Sequence, residues 1–328
     1  MRKKTSIGKV LVTGGLGFIG HHLCEALLRS NADVVIVDDQ GTSVAPAEWF
    51  RGRARVELTT LSDYRIDDEF DWICHLASPV GPTRVMTAHG EVARAIVNSM
   101  AWLIDNLQQS RTRIVYVSSS EVYGVERRAN ENDDLIVRYP YSGRREYSCA
   151  KLMAEIMLLN ATRNGRMPLP LIVRPFNVAG PRQSERGGFV LPRFASSIMA
   201  DQPLTVYGSG AQRRCFTHVS DVADAVIELM KSEASGIYNI GNVQNDVSIA
   251  ELAERLCAMA AKLGIRSESK IDFVDPKLLH GSDYEEAPDK IPDIAKLTAA
   301  IDWRPRYDLD ALLQDVLESV AKKVAERT

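Results

Sequence analysis

A chain of 328 residues is long enough for one large α/β unit with a smaller lobe. Its 40 Lys and Arg stand against 43 Asp and Glu, and the net charge of −3 argues against a nucleic-acid partner or an anionic membrane surface. Five scattered cysteines (Cys24, Cys74, Cys149, Cys215, Cys257) form no CxxC pair, the early apolar run VLV is too short for a signal-peptide core, and no stretch reaches membrane-spanning length, so a reduced cytoplasm is the expected setting.

Lys9–Thr13 (KVLVT) reads as a buried strand. Thr13–Gly20 follows as TGGLGFIG, with Gly14, Gly17 and Gly20 at GxxGxxG spacing, and His21–Ser30 then reads as a helix with Leu23, Ala26 and Leu27 on one face. Glycines between a strand and a helix let the backbone turn sharply and approach a pyrophosphate, which the free N–H groups of the helix start attract. Asp33–Val37 is a second strand and runs into Asp38 and Asp39. An acid at that point accepts both adenosine ribose hydroxyls and repels a 2′-phosphate, so NAD is expected rather than NADP. The plain alternative is a tight turn with a solvated aspartate.

Trp72–Leu76, Arg113–Ser118 and Leu171–Arg174 read as further strands separated by helical stretches. That alternation implies βαβ units and a Rossmann-like, doubly wound parallel sheet. After about Gly180 the chain becomes rich in Gly, Pro and Arg, and it reads as a smaller C-terminal α/β lobe. The expected division is 1–180 for the dinucleotide and catalytic domain and 181–328 for the substrate lobe, with some later segments returning to the main domain. Pro276–Pro292 reads as loop and Asp308–Arg327 as a helix. Scattered histidines (His75, His218, His280) show no metal-ligand spacing, so no metal is expected.

Tyr147-Ser-Cys-Ala-Lys151 is a YxxxK pair inside a helical pattern, so both residues share a face. A neighbouring ammonium favours phenolate, and Tyr147 is expected to act as a base with its pKa lowered by Lys151. Ser118-Ser-Ser-Glu-Val-Tyr-Gly124 follows the strand RIVYV, where parallel sheets bind ligands. A serine there can relay a substrate proton to Tyr147. The bland readings are a solvated helix face and a Ser-rich cap.

Taken together, these segments resemble the extended short-chain dehydrogenase/reductases that act on nucleotide sugars. The nearest look is to the UDP-glucuronate decarboxylases, through HLASP (75–79), SSSEVYG (118–124), REYSCAK (145–151), VRPFNVAGPR (173–182), PLTVYGSGAQRRCFTHVSD (203–221), YNIGN (238–242) and IPDI (291–294). The resemblance implies catalytic roles for Ser119, Ser120, Glu121, Tyr147 and Lys151. It implies NAD contacts from Gly14, Gly17, Phe18, Ile19, Gly20, Asp38, Asp39, Leu76, Ala77, Ser78 and Asn98. A UDP-sugar would meet Pro79, Arg84, Arg144, Asn177, Arg182, Arg193, Tyr207, Arg214, Tyr284 and Lys290. A homodimer through two helices, one carrying Tyr147 and Lys151, is also implied. Two phosphates and a carboxylate need cations, and arginine suits bidentate contacts. Lys290 departs from the family's usual arginine, keeping the charge without the fork. Pro82 replaces a tyrosine of the aminoarabinose-pathway enzyme, and the adenine-contacting aspartate falls to Asp63.

The implied reaction oxidises C4 of UDP-glucuronate with NAD while Tyr147 takes the hydroxyl proton through or beside Ser119. The resulting ketone is β to the C6 carboxylate, so carbon dioxide leaves and a UDP-4-keto-pentose or UDP-xylose results. The competing expectation is a nucleotide-sugar 4-epimerase, against which Glu121 argues. A 4,6-dehydratase and a non-catalytic NAD-binding regulator are the remaining alternatives.

Overall fold

The computed structural model describes residues 6–88, 90–107, 110–124, 127–137, 139, 142–163, 165, 167–280 and 289–326. Its strands in chain order are β1 Lys9–Thr13, β2 Asp33–Asp38, β3 Arg55–Leu58, β4 Trp72–His75, β5 Arg113–Val117, β6 Arg127–Ala129, β7 Leu171–Pro175, β8 Val178–Ala179, β9 Leu204–Tyr207, β10 Arg213–Cys215, β11 Thr217–His218, β12 Gly236–Ile240, β13 Asp246–Ser248, β14 Ile271–Val274 and β15 Lys290–Pro292. The helices are α1 Phe18–Arg29, α2 Pro82–Thr87, α3 Glu91–Asn106, α4 Gly143–Thr162, α5 Val190–Met199, α6 Val219–Lys231, α7 Ile249–Lys262, α8 Pro276–His280, α9 Ala295–Ala300 and α10 Leu309–Ala325.

Seven strands form one parallel sheet in the order β12-β7-β5-β4-β1-β2-β3. Fully apolar runs such as Val10–Val12 and Val34–Val37 are buried on both sides, as a sheet covered by helices on two faces requires. On one face α1 and α6 bring Leu23, Leu27, Val222 and Val226 onto Val10, Val12 and Val173. On the other, α3 and α4 bring Ile96, Met100, Ala150 and Ala154 onto Leu11, Ile73 and Ile114. The fold is the doubly wound Rossmann-like one, and its chain order reverses between β1 and β4, where such sheets bind dinucleotides.

Residues beyond 180 build a second core. Leu191, Phe194, Leu252, Leu256, Leu312 and Val316 pack α5, α7 and α10 together. A four-stranded sheet, β13-β10-β15-β6, and the pair β14-β9 lie with them. However, β12 and α6 belong to the central sheet and its flank. The stretch 276–292 is not all loop: α8 opens it and β15 closes it, because Lys290 and Pro292 are buried between β10 and β6. α1 starts at Phe18, earlier than its apolar pattern, because Gly17 caps it directly after the turn.

Candidate active site

The glycine turn joins β1 to α1. Gly14 has φ +70°, and a Cβ there would lie 2.8 Å from the Ala77 backbone nitrogen. Only glycine tolerates both the left-handed backbone and that approach. A Cβ on Gly20 would lie 2.1 Å from the Gly14 carbonyl oxygen, so the third glycine is demanded by helix-to-turn packing. Gly17 is the N-cap of α1 and has no side-chain cap, which leaves the first-turn N–H groups of Phe18 and Ile19 open to an anion.

Leu76, Ala77, Ser78 and Pro79 leave β4 beside this turn and are half-buried, with the Leu76 N–H donating to Thr13 O at 3.1 Å. Asp38, at the end of β2, is buried. One carboxylate oxygen accepts the Leu16 N–H at 2.9 Å, and the other accepts Gln40 N–H and Ser43 Oγ, both at 2.8 Å. Asp39 is exposed and accepts the Gly41 N–H at 2.8 Å. Asn98 is exposed on α3, and among the described residues no hydrogen bond ties it to this crevice; its neighbour Ser99 reaches His75 instead, at 3.3 Å. Asp63 accepts Thr60 Oγ1 at 2.7 Å after β3.

Tyr147 and Lys151 lie on the buried face of α4, one turn apart. Ser119, directly after β5, hydrogen-bonds the Tyr147 phenol and accepts the Glu121 N–H at 3.2 Å. Ser120 is buried in the same short turn. One electrostatic expectation is corrected. Lys151 Nζ donates to Val117 O at 3.0 Å, lies 6.0 Å from the Tyr147 ring centre, and among the described residues makes no hydrogen bond to the Tyr147 hydroxyl. Burial pushes the Tyr147 phenol up, against the opposing Ser119 hydrogen bond. Burial also lowers Lys151 to about 7, with Glu155 opposing.

A second cluster forms where the two cores meet. Glu121 pairs with Lys290 of β15 and with Arg144 of α4, the latter at 3.3 Å. Arg214 of β10 stands in register with Lys290. Burial alone would push the Glu121 carboxyl up; Lys290, then Arg144 and Arg214, outweigh it and hold it at about 2. Burial lowers Lys290 to about 8 against the pull of Glu121.

Further out, Arg193 of α5 donates to the Tyr207 hydroxyl at 2.9 Å and lies 4.7 Å from its ring centre. Asn177 sits at φ +39° and donates to Cys215 O at 3.3 Å. Arg182 is not brought to this cluster. It meets His21 of α1 and stacks 3.8 Å over Trp49, on the α1 side of the molecule. Arg213 pairs with Asp246 at 3.1 Å. The side chain of Arg84, and Tyr284 as a whole, lie outside the described residues.

Sequence reasoning missed a buried polar chain beneath the site. Glu155, Arg174, Tyr123, Asn239 and Glu131 are all buried and joined in succession. A glutamate four residues after Lys151, on the same helix face, was the available signal.

The profile of the NAD dependent epimerase/dehydratase family matches residues 10–241. The chain belongs to this family. NAD is accordingly its cofactor, and the glycine turn, the open start of α1 and the buried lysine fit that dinucleotide. A UDP-N-acetyl-alpha-D-glucosaminuronate decarboxylase of Bacillus cytotoxicus is 30% identical over 320 residues, 94% of this chain and 97% of that protein. UDP-glucuronic acid decarboxylase 1 of Danio rerio is 28% identical over 96% of this chain and 73% of its own. The solved structure of MoeE5 in complex with UDP-glucuronic acid and NAD is 28% identical, with a TM-score of 0.79, covering 96% of this chain and all of that one (100%). Among the described residues no group of His, Cys, Asp or Glu could hold a metal, and no helix is long and apolar enough to cross a membrane.

Proposed function

We propose that this family member decarboxylates UDP-glucuronate or a close UDP-uronate. The observation that carries the reading is the Glu121–Lys290–Arg144 cluster one turn from the Ser119–Tyr147 pair. The names of the similar proteins agree with it. Bound NAD supplies the oxidation of C4 and can reverse it. Tyr147, as the phenolate that Lys151 and the positive nicotinamide of bound NAD would favour against burial, receives the C4 hydroxyl proton through or beside Ser119, and Lys151 provides its positive charge beside the Val117 end of β5. Arg144, Arg214 and Lys290 orient the uronate carboxylate and stabilise the enolate left when carbon dioxide departs. Glu121 fixes Lys290 and Arg144 in place and positions the sugar or a water that returns a proton to C5 of the enolate, giving the 4-keto-pentose. Asn177 serves the nucleotide diphosphate, Tyr207 lies beside the uracil and Arg193 joins it in holding the UDP-sugar, on a substrate lobe made mainly of residues 181–328.

The second reading is a 4-epimerase, since the family's description includes epimerases. The cations around Glu121 would serve either reaction of a uronate; what favours decarboxylation is Glu121 itself, because the resembling epimerases more often carry a small or hydroxyl residue at that position. Incubation of the protein with UDP-glucuronate and NAD decides between them. Carbon dioxide with a UDP-pentose or UDP-4-keto-pentose is expected; UDP-galacturonate without gas would establish the epimerase.

The proposal includes a homodimer docked through α3 and α4, in the cytoplasm. The half-exposed Met153 and Ile156 on α4 support the first, and five free cysteines support the second. Sedimentation is expected to give twice the chain mass, and a Met153→Asp/Ile156→Asp pair to give the monomer.

A further inference from the structure

Tyr147, Lys151 and Glu155 stand four apart on α4 and share one face. Glu155 is 1% exposed. It accepts two bonds from Arg174 of β7, at 3.0 and 2.6 Å, and one from Ser118 at the end of β5. Arg174 is 2% exposed, and its guanidinium lies 4.8 Å from the Tyr123 ring centre. Tyr123 donates to Asn239 of β12 at 2.7 Å. A buried ion pair is seldom more stable than well-packed apolar side chains, so stability alone is a weak reason for this one.

The local geometry supplies a stronger reason. Ser118 lies between Val117, whose carbonyl receives Lys151, and Ser119, which bonds Tyr147. Glu155 therefore grips the same three-residue strand end that its own helix must face. We propose that Glu155, clamped by Arg174 and Ser118, is a positioning residue that sets the rotation and depth of α4 so that Tyr147 and Lys151 meet Ser119 in working register. The inference rests on the roles given above to Tyr147 and Lys151. Glu155 acts through them and touches neither cofactor nor sugar.

The carboxylate also opposes the loss of charge that burial imposes on Lys151. This gives a readout that a purely structural role would not move. Glu155→Gln alone leaves Arg174 buried without a counter-charge, and folding is expected to suffer. The decisive variant is the pair Glu155→Gln/Arg174→Gln, whose amides can bond each other while Ser118 keeps an acceptor. It is expected to fold, to hold NAD, and to show a kcat for UDP-glucuronate about tenfold lower with little change in KM. The alkaline limb of its kcat–pH profile should move to lower pH, because of the two charges removed Glu155 is the one that holds Lys151 up against burial.

Glu155→Asp keeps the charge and shortens the reach. For it, kcat should fall about severalfold while the pH limb stays in place. Tyr147→Phe is measured beside both. Turnover by Tyr147→Phe would remove the assigned base and the proposed function with it. An inactive Tyr147→Phe beside a Glu155→Asp, or a folded paired variant, with the kcat and pH profile of the parent protein would overturn the positioning role alone.

Discussion

Tyr147, Lys151 and Glu155 occupy one helix, and Ser119 reaches them from the next strand end. Glu121, Arg144, Arg214 and Lys290 instead converge from a short turn, a helix and two strands of a separate small sheet. The first group is held by regular structure with apolar side chains packed around it. The second is held by mutual charge, and its two most distant members lie 169 positions apart in the chain. Helix periodicity fixes spacing wherever the helix packs, whereas a charge cluster exists only once both cores have docked.

The comparison breaks first, and most visibly, at Tyr147. Tyr147→Phe keeps the ring packed and removes one hydroxyl. Turnover should fall about 10³-fold, within the usual range for loss of a positioned acid or base, while NAD stays bound. Absorbance or fluorescence of the bound nicotinamide, read beside a carbon dioxide assay, checks both halves of that statement.

The charged half should respond next. Lys290→Met removes the partner of Glu121 and, on the proposed function, one of the cations that would meet the substrate carboxylate. The expected loss in kcat/KM for UDP-glucuronate is about 10²-fold, equivalent to about 3 kcal/mol. Lys290→Arg keeps the charge and should retain most activity. A Lys290→Met enzyme that handles the uronate normally would show that the small sheet does not read the carboxylate.

A smaller effect is expected at the turn. A Cβ on Gly20 meets backbone, the Gly14 carbonyl oxygen, which cannot swing aside as a side chain would. Gly20→Ala should therefore weaken NAD binding about tenfold by displacing α1 from the turn, measured by titration calorimetry. Gly52→Ala is the contrasting control. Its φ is +73° but its would-be Cβ meets nothing, so it should cost about 1 kcal/mol of stability and leave NAD affinity unchanged.

These differences also explain what could be read before any coordinates. The strands around Val10, Val34, Ile73, Val115 and Ile172 were legible because a doubly covered parallel strand must be apolar throughout. The glycine turn and the Tyr147–Lys151 pair were legible because their spacing is local. The β15 strand was hidden in a polar stretch because its burial comes from pairing with β10 and β6, not from its own side chains. Arg182 looked like one more member of a basic run, yet its contacts are His21 and Trp49, which nothing in the run itself indicates. Glu155 carried a local signal, but its partners Arg174 and Ser118 become neighbours only when β5, β7 and α4 pack.

The smallest effect sharpens the comparison through acid titration. Glu121 has a folded value of about 2, against an ordinary 4.5. Its stabilising contribution is therefore complete above about pH 4.5 and is lost as the pH falls towards 2. Lys290 works in the opposite sense. Its folded value of about 8 lies below the ordinary 10.5, so its charged form costs stability below pH 8, and that cost lifts as the pH rises towards 10.5. Both the parent protein and Glu121→Gln carry that Lys290 cost, so it does not cancel the Glu121 contribution, and the parent should be the more stable of the two at neutral pH. Chemical denaturation from pH 7 to 2 should show that difference constant down to about pH 4.5 and shrinking below it. A difference that stays flat throughout would mean that the charged half is not assembled in the free protein, and that the substrate's own carboxylate gathers Lys290 and Arg144 on arrival.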